Sequence, residues 1–220
     1  MKKSFLILTA ILTLFLLSSC GMGDRYVRGL FTEQNPEIPI FMDDFSDHDN
    51  GWLLTVTDQG VAHYDGDSIR ILINESNATY WTSPGLNLND SIVDVDAVKV
   101  TGPDDNLFGL ICRFQDEQNY YSFLVSTDGY YGILKVEDGK REFLGTPQMQ
   151  ISDMIQKDEK TNHLRADCVG NKLSLYANWT KLMEVEDDTF TGGDVGIMGA
   201  TRDTVGTDIR FDNFIVISPK

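Results

Sequence analysis

Basic residues are scarce in this chain. Lys and Arg number 18 against 34 Asp and Glu, which gives a formal charge of −16. Gripping a phosphate backbone needs clustered cations, so nucleic acid is not an expected partner. Cysteine is also sparse, and three residues cannot build the disulfide framework of a small secreted scaffold. The three His, at 48, 63 and 163, lack ligand-like spacing, which argues against a zinc site. Six Pro and 19 Gly are ordinary numbers and remove collagen-like and low-complexity readings. One long apolar run exists, over residues 5–17, and it is shorter than the roughly 20 residues a spanning helix needs. After residue 40 no stretch holds an apolar period of 3.6, so a helical core is not expected.

Apolar residues make up 41% of the 220 positions and aromatics 10%. That is enough to bury a core and excludes a disordered chain. The apolar run at the N-terminus follows Lys2 and Lys3, the order of a secretory signal. It ends in Leu17-Ser18-Ser19-Cys20-Gly21, which resembles the lipobox of bacterial lipoproteins. The resemblance implies cleavage before Cys20 and a diacylglycerol on its thiol. The expected organisation is a signal peptide over 1–19, a lipidated Cys and flexible tether over 20–39, and one domain over 40–220. The expected location is the cell envelope, outside the cytoplasm, with a membrane held through the lipid.

Alternation of period two dominates the rest. Phe108, Leu110, Cys112 and Phe114 share one face of a run, with Gly109, Ile111 and Arg113 opposite. Ile69, Ile71 and Ile73 alternate with Arg70 and Leu72. Leu164, Ala166 and Cys168 do so in the next such run, then Leu173, Leu175 and Ala177. Asp128-Gly129, Asp138-Gly139 and Gly170-Asn171 punctuate these runs with residues suited to tight hairpins. Roughly a dozen short strands so separated predict an all-β, antiparallel β-sandwich. Cys112 and Cys168 both fall on core-facing sets. They form either a bridge, if their Cα atoms come within about 7 Å, or two buried thiols.

The domain opens with Asp43-Asp44-Phe45-Ser46 and Gly51-Trp52 and closes with Phe211-Asp212-Asn213-Phe214-Ile215-Val216. With Asn119-Tyr120-Tyr121-Ser122-Phe123 and Gly193-Asp194-Val195-Gly196-Ile197 between them, this resembles bacterial concanavalin A-like or laminin G-like jelly-roll domains. It is similar to the family that includes 3-keto-disaccharide hydrolase domains. The resemblance implies two curved sheets with adjacent first and last strands. It also implies a structural calcium at that junction, where Asp44 and Asp212 stand. The alternative for both residues is capping of local turns.

The glucanases of this fold carry Glu-x-Asp-x-x-Glu on one strand face. The nearest stretch, Glu184-Val185-Glu186-Asp187-Asp188-Thr189, lacks the final acid, which weighs against that chemistry. Aromatic residues interleaved with polar ones suit sugar recognition, since rings stack on sugar C–H faces. The residues expected to contact a glycan are Arg113, Tyr120, Tyr130, Arg165, Tyr176 and Trp179. Trp179 follows Asn178 in a turn where glycine is usual. The expected function is carbohydrate binding without catalysis. A protein-interaction or structural envelope role and sugar hydrolysis are the alternatives.

Overall fold

Sixteen β-strands and no helix account for the secondary structure of residues 38–219, the part of the chain that the computed structural model describes. The expected signal peptide over 1–19, Cys20 and the expected tether up to residue 37 lie outside these residues. In chain order the strands are β1 (Pro39–Asp43), β2 (Thr55–Val56), β3 (Gly60–Tyr64), β4 (Ile69–Ile73), β5 (Thr79–Thr82) and β6 (Ser91–Thr101). Next come β7 (Asn106–Asp116), β8 (Asn119–Val125), β9 (Tyr130–Glu137), β10 (Lys140–Phe143) and β11 (Gln150–Ile151). The last five are β12 (Asn162–Val169), β13 (Lys172–Ala177), β14 (Thr180–Glu186), β15 (Asp194–Thr201) and β16 (Thr207–Ile217).

The strands form an antiparallel sandwich of two sheets. The nine-stranded sheet runs β14-β13-β12-β6-β16-β4-β3-β2, with β1 also paired to β16. The seven-stranded sheet runs β10-β9-β8-β7-β15-β5, with β11 also paired to β9. First and last strands are neighbours, and Asp43 pairs with Phe214. Residues 207–211 of β16 pair with β4 and residues 214–217 with β1, so those two strands share one edge of β16.

Period-two alternation sends one set of each strand into the space between the sheets. Ile69, Ile71, Ile73, Val93, Val95, Leu164, Leu173 and Leu175 meet Phe108, Leu110, Phe123, Ile133 and Ile197 there, all fully buried. Each such side chain contributes about 1.5–3 kcal/mol by leaving water. Cys112 of β7 and Cys168 of β12 form a disulfide across this core, with Cα atoms 6.8 Å apart. The opening motif is structural as well. The buried Asp43 carboxylate accepts the Phe45 N–H and the Trp52 indole N–H, both at 2.7 Å. Trp52 then packs edge-on against Phe45 and Phe214.

One alternation breaks. Arg113 has φ +50° and interrupts the register of β7 with β8. A bulge of this kind inserts one residue and re-aims the next. Phe114 therefore leaves the inner set and joins Ile111, Tyr120 and Met198 on the outward side of the seven-stranded sheet.

Candidate functional site

The outward face of the seven-stranded sheet is apolar. Ile111, Tyr120, Leu124, Val136, Met198 and Ala200 are buried there, flanked by Trp81, Leu107, Phe114, Leu134 and Met149. A half-exposed sheet face normally alternates toward polar residues on its solvent side. This one folds over itself. Arg141 of β10 donates to the Thr79 hydroxyl of β5 at 3.4 Å. These strands end a six-strand path, which spans about 24 Å if flat at about 4.8 Å per strand. One arginine side chain cannot cross that distance, so the sheet curls toward this face.

The curl encloses a groove of about 710 Å³. Leu107, Leu124, Leu134 and Ala200 form its floor, and Tyr130, Phe143 and Met149 its apolar walls. Asp105, Asp128, Arg141, Gln148 and Arg202 supply polar groups. Gly132 makes space for one wall: a Cβ there would lie 3.1 Å from the Phe143 ring and 3.5 Å from Met149. The Asp138-Gly139 hairpin, with φ of +50° and +75°, turns β9 into β10 and so places Arg141 and Phe143 over the groove. On the same face, Trp81, Phe114 and Tyr120 make a row with ring centroids 4.2 and 5.6 Å apart. Burial raises the Tyr120 pKa, and the nearby Arg141 charge pulls it back. Asp105 is paired with Arg202 at 3.1 Å, and Asp128 accepts from the Ser126 hydroxyl.

The six residues expected to contact a glycan do not converge. Tyr130, 41% exposed, lines the groove. Tyr120 is 7% exposed and lies within the apolar face. Arg113 is a correction: it is buried, and its guanidinium donates to the carbonyls of Asn89, Phe190 and Gly170 and to Asp90. The bulge turns it into a tie between loops, with its donors engaged inside the protein. Arg165 and Tyr176 face outward on the other sheet, where the guanidinium lies 5.3 Å from the ring centroid. Trp179 caps the β13–β14 turn of that sheet. Arg141, Phe143, Gln148 and Arg202 were missed. Arg141 and Phe143 alternate after an Asp-Gly hairpin signal, which the sequence displayed.

Calcium at Asp44 and Asp212 gains no support. Among the described residues no group of three or more His, Cys, Asp or Glu is placed to hold a metal. Asp44 accepts from the Ser46 N–H and hydroxyl, and Asp212 from the Asn213 N–H at 2.7 Å. Asp44 caps a local turn, whereas Asp212 sits in the bulge of β16, where Asn213 has φ +54°.

His163 occupies an ionic site on the outward face of the nine-stranded sheet. Its Nδ1 lies 2.9 Å from Asp96 and its Nε2 3.2 Å from Asp94. Burial opposes the imidazolium charge, but the two carboxylates outweigh it and push the pKa up to about 9.

The chain matches no family model and no curated protein. Solved structures do resemble it. The carbohydrate binding module CBM66 from Bacillus subtilis aligns with a TM-score of 0.60 and 18% identity over 76% of this chain and 96% of that one. A Bacillus subtilis protein of unknown function with a galectin-like fold gives 0.59 and 13% over 82% and 96%. The GH43 protein BlXynB from Bacillus licheniformis gives 0.60 and 14% over 86% of this chain and 40% of that chain. The chain shares with the aligned parts of these proteins a galectin-like jelly-roll β-sandwich.

Proposed function

We propose that this chain is a lipid-anchored module of the cell envelope that binds carbohydrate in the groove of its seven-stranded sheet. The observation that carries the reading is the groove itself, a concave site with aromatic walls and a few polar groups. Tyr130 and Phe143 offer ring faces for sugar C–H groups, while Arg141, Gln148 and Arg202 offer hydroxyl partners. The fold it shares with a carbohydrate binding module adds support. The anchor rests on the lipobox-like stretch ending at Cys20, and the extracytoplasmic location follows from that anchor. Binding is favoured over hydrolysis of the 3-keto-disaccharide type by the aromatic walls, which offer stacking faces for sugar rings.

The test is a glycan array with the full chain in detergent. At least one saturable hit is expected, weakened tenfold or more by Tyr130→Ala and by Phe143→Ala with the melting temperature held. No hit, or a hit indifferent to both changes, would overturn the reading and favour a protein-interaction role. Cys20→Ala should abolish incorporation of labelled fatty acid into the chain.

A further inference from the structure

Trp179 stands on the other sheet from the groove. Asn178 and Trp179 have φ of +49° and +70° between the paired residues Ala177 and Thr180. That is a type I′ hairpin turn, whose second position favours glycine. A bulky residue in this left-handed region is strained. The indole is nevertheless 63% exposed. It is also fixed from beneath. Its ring stacks on the His163 imidazole at 4.0 Å and 21°, and that imidazole is held by Asp94 and Asp96. The Asn178 amide donates to the Met154 carbonyl at 2.7 Å and to Asn162 Oδ1 at 2.9 Å, which locks the turn. Strain, exposure and rigidity thus coincide on one large ring, and strain held in place by its surroundings is a mark of functional sites.

Covering His163 uses one face of the indole and leaves the other to the solvent. We propose that this free face is a second carbohydrate-binding platform, which takes one sugar ring by stacking. Size decides the class of ligand. An aromatic side chain offers about 150–250 Å², whereas a stable protein interface needs about 800 Å² per partner. Lys181 follows in β14, exposed on the same outward face as Tyr176. The platform belongs to the outward face of the nine-stranded sheet and the groove to that of the seven-stranded sheet. Together with the groove of the proposed function, the platform lets one molecule engage two separate glycan segments. The platform does not depend on the groove reading.

Trp179→Gly tests it cleanly, because Asn-Gly is a favoured pair for this turn and the hairpin persists. The probes are soluble xylan, levan, mannan and cellohexaose, added to the full chain in detergent. Affinity and indole fluorescence are both read. The expected result is a polysaccharide that shifts the fluorescence and binds tenfold or more weakly to Trp179→Gly. Trp179→Tyr, which keeps a stacking ring, should recover most of that binding. Tyr130→Ala should leave the Trp179 response intact. If Trp179→Gly melts normally and binds every probe as the parent does, the platform is overturned while the groove reading stands. If Trp179→Gly loses all binding and Tyr130→Ala loses none, the groove reading fails and the platform stands. If no probe binds, the platform falls, and the groove reading is decided by the glycan array.

Discussion

Two outward faces flank one shared core, and they solve the problem of exposure differently. On the nine-stranded sheet, β4, β6, β12 and β14 turn Arg70, Asp94, Asp96, His163, Arg165 and Lys181 outward. Nearly all are paired: Arg70 with Asp208 at 2.7 Å, Arg165 with Asp167 at 2.6 Å and Lys181 with Glu184 at 2.5 Å. On the seven-stranded sheet the same alternation turns out Ile111, Leu124, Val136 and Met198, which stay dry because the sheet curls over them. Charges that lose water on the nine-stranded face are compensated by pairing. Apolar groups must be covered, and curvature supplies the cover. The groove is thus a by-product of hiding an apolar outward face.

The contrast can be broken most severely from the apolar side. Ile111 is 1% exposed, so Ile111→Asp should place a charge without a partner among Trp81, Phe114 and Met198. A loss of about 4 kcal/mol or more is expected, measured by urea unfolding. Next is the joint between the sheets. Cys112→Ala with Cys168→Ala opens a link between positions 56 residues apart. By the loop-closure relation it should lower stability by about 4 kcal/mol. Reductant should have the same effect on the parent and none on the double variant.

The ionic face should show itself through pH. The folded pKa of His163, about 9, lies above the unfolded value near 6.5. Its contribution is therefore complete below about pH 6.5 and fades as pH climbs through 9, by on the order of 3 kcal/mol. His163→Gln should flatten stability between those limits, and a parent that unfolds equally readily at pH 6 and pH 10 would contradict the assignment. The smallest change belongs to the rim of the same face. Lys181 and Glu184 are about half exposed, so Lys181→Ala should cost under about 0.5 kcal/mol, within reach of paired thermal melts.

Much of the inner core was legible in the chain. Ile69, Ile71, Ile73, Leu164, Ala166, Cys168, Leu173 and Leu175 all point inward as their alternation predicts. Phe114 does not, because alternation assumes an unbroken strand and the bulge at Arg113 shifts the count by one. Arg113 shows a second limit: an arginine in a strand pattern looks exposed, and only loops distant in sequence reveal that it is buried. The candidate site was the least legible part. Tyr130 was expected, yet its neighbours Phe143, Arg141 and Arg202 lie on other strands and loops.

The sequence by itself determined the strands, most of their inward faces and the hairpins that join them. It also carried the lipobox-like stretch at Cys20. These are properties of neighbours along the chain, set by period two and by turn chemistry. Tertiary structure decided which aromatic residues share a surface. It sent Tyr130 to the groove, Trp179 to the opposite sheet and Arg113 to the interior. It also brought Arg141 to Thr79, 62 residues away in sequence and at the far edge of the same sheet. Convergence of this kind depends on strand order and sheet curvature, which arise from pairing between distant segments and leave no period in the sequence.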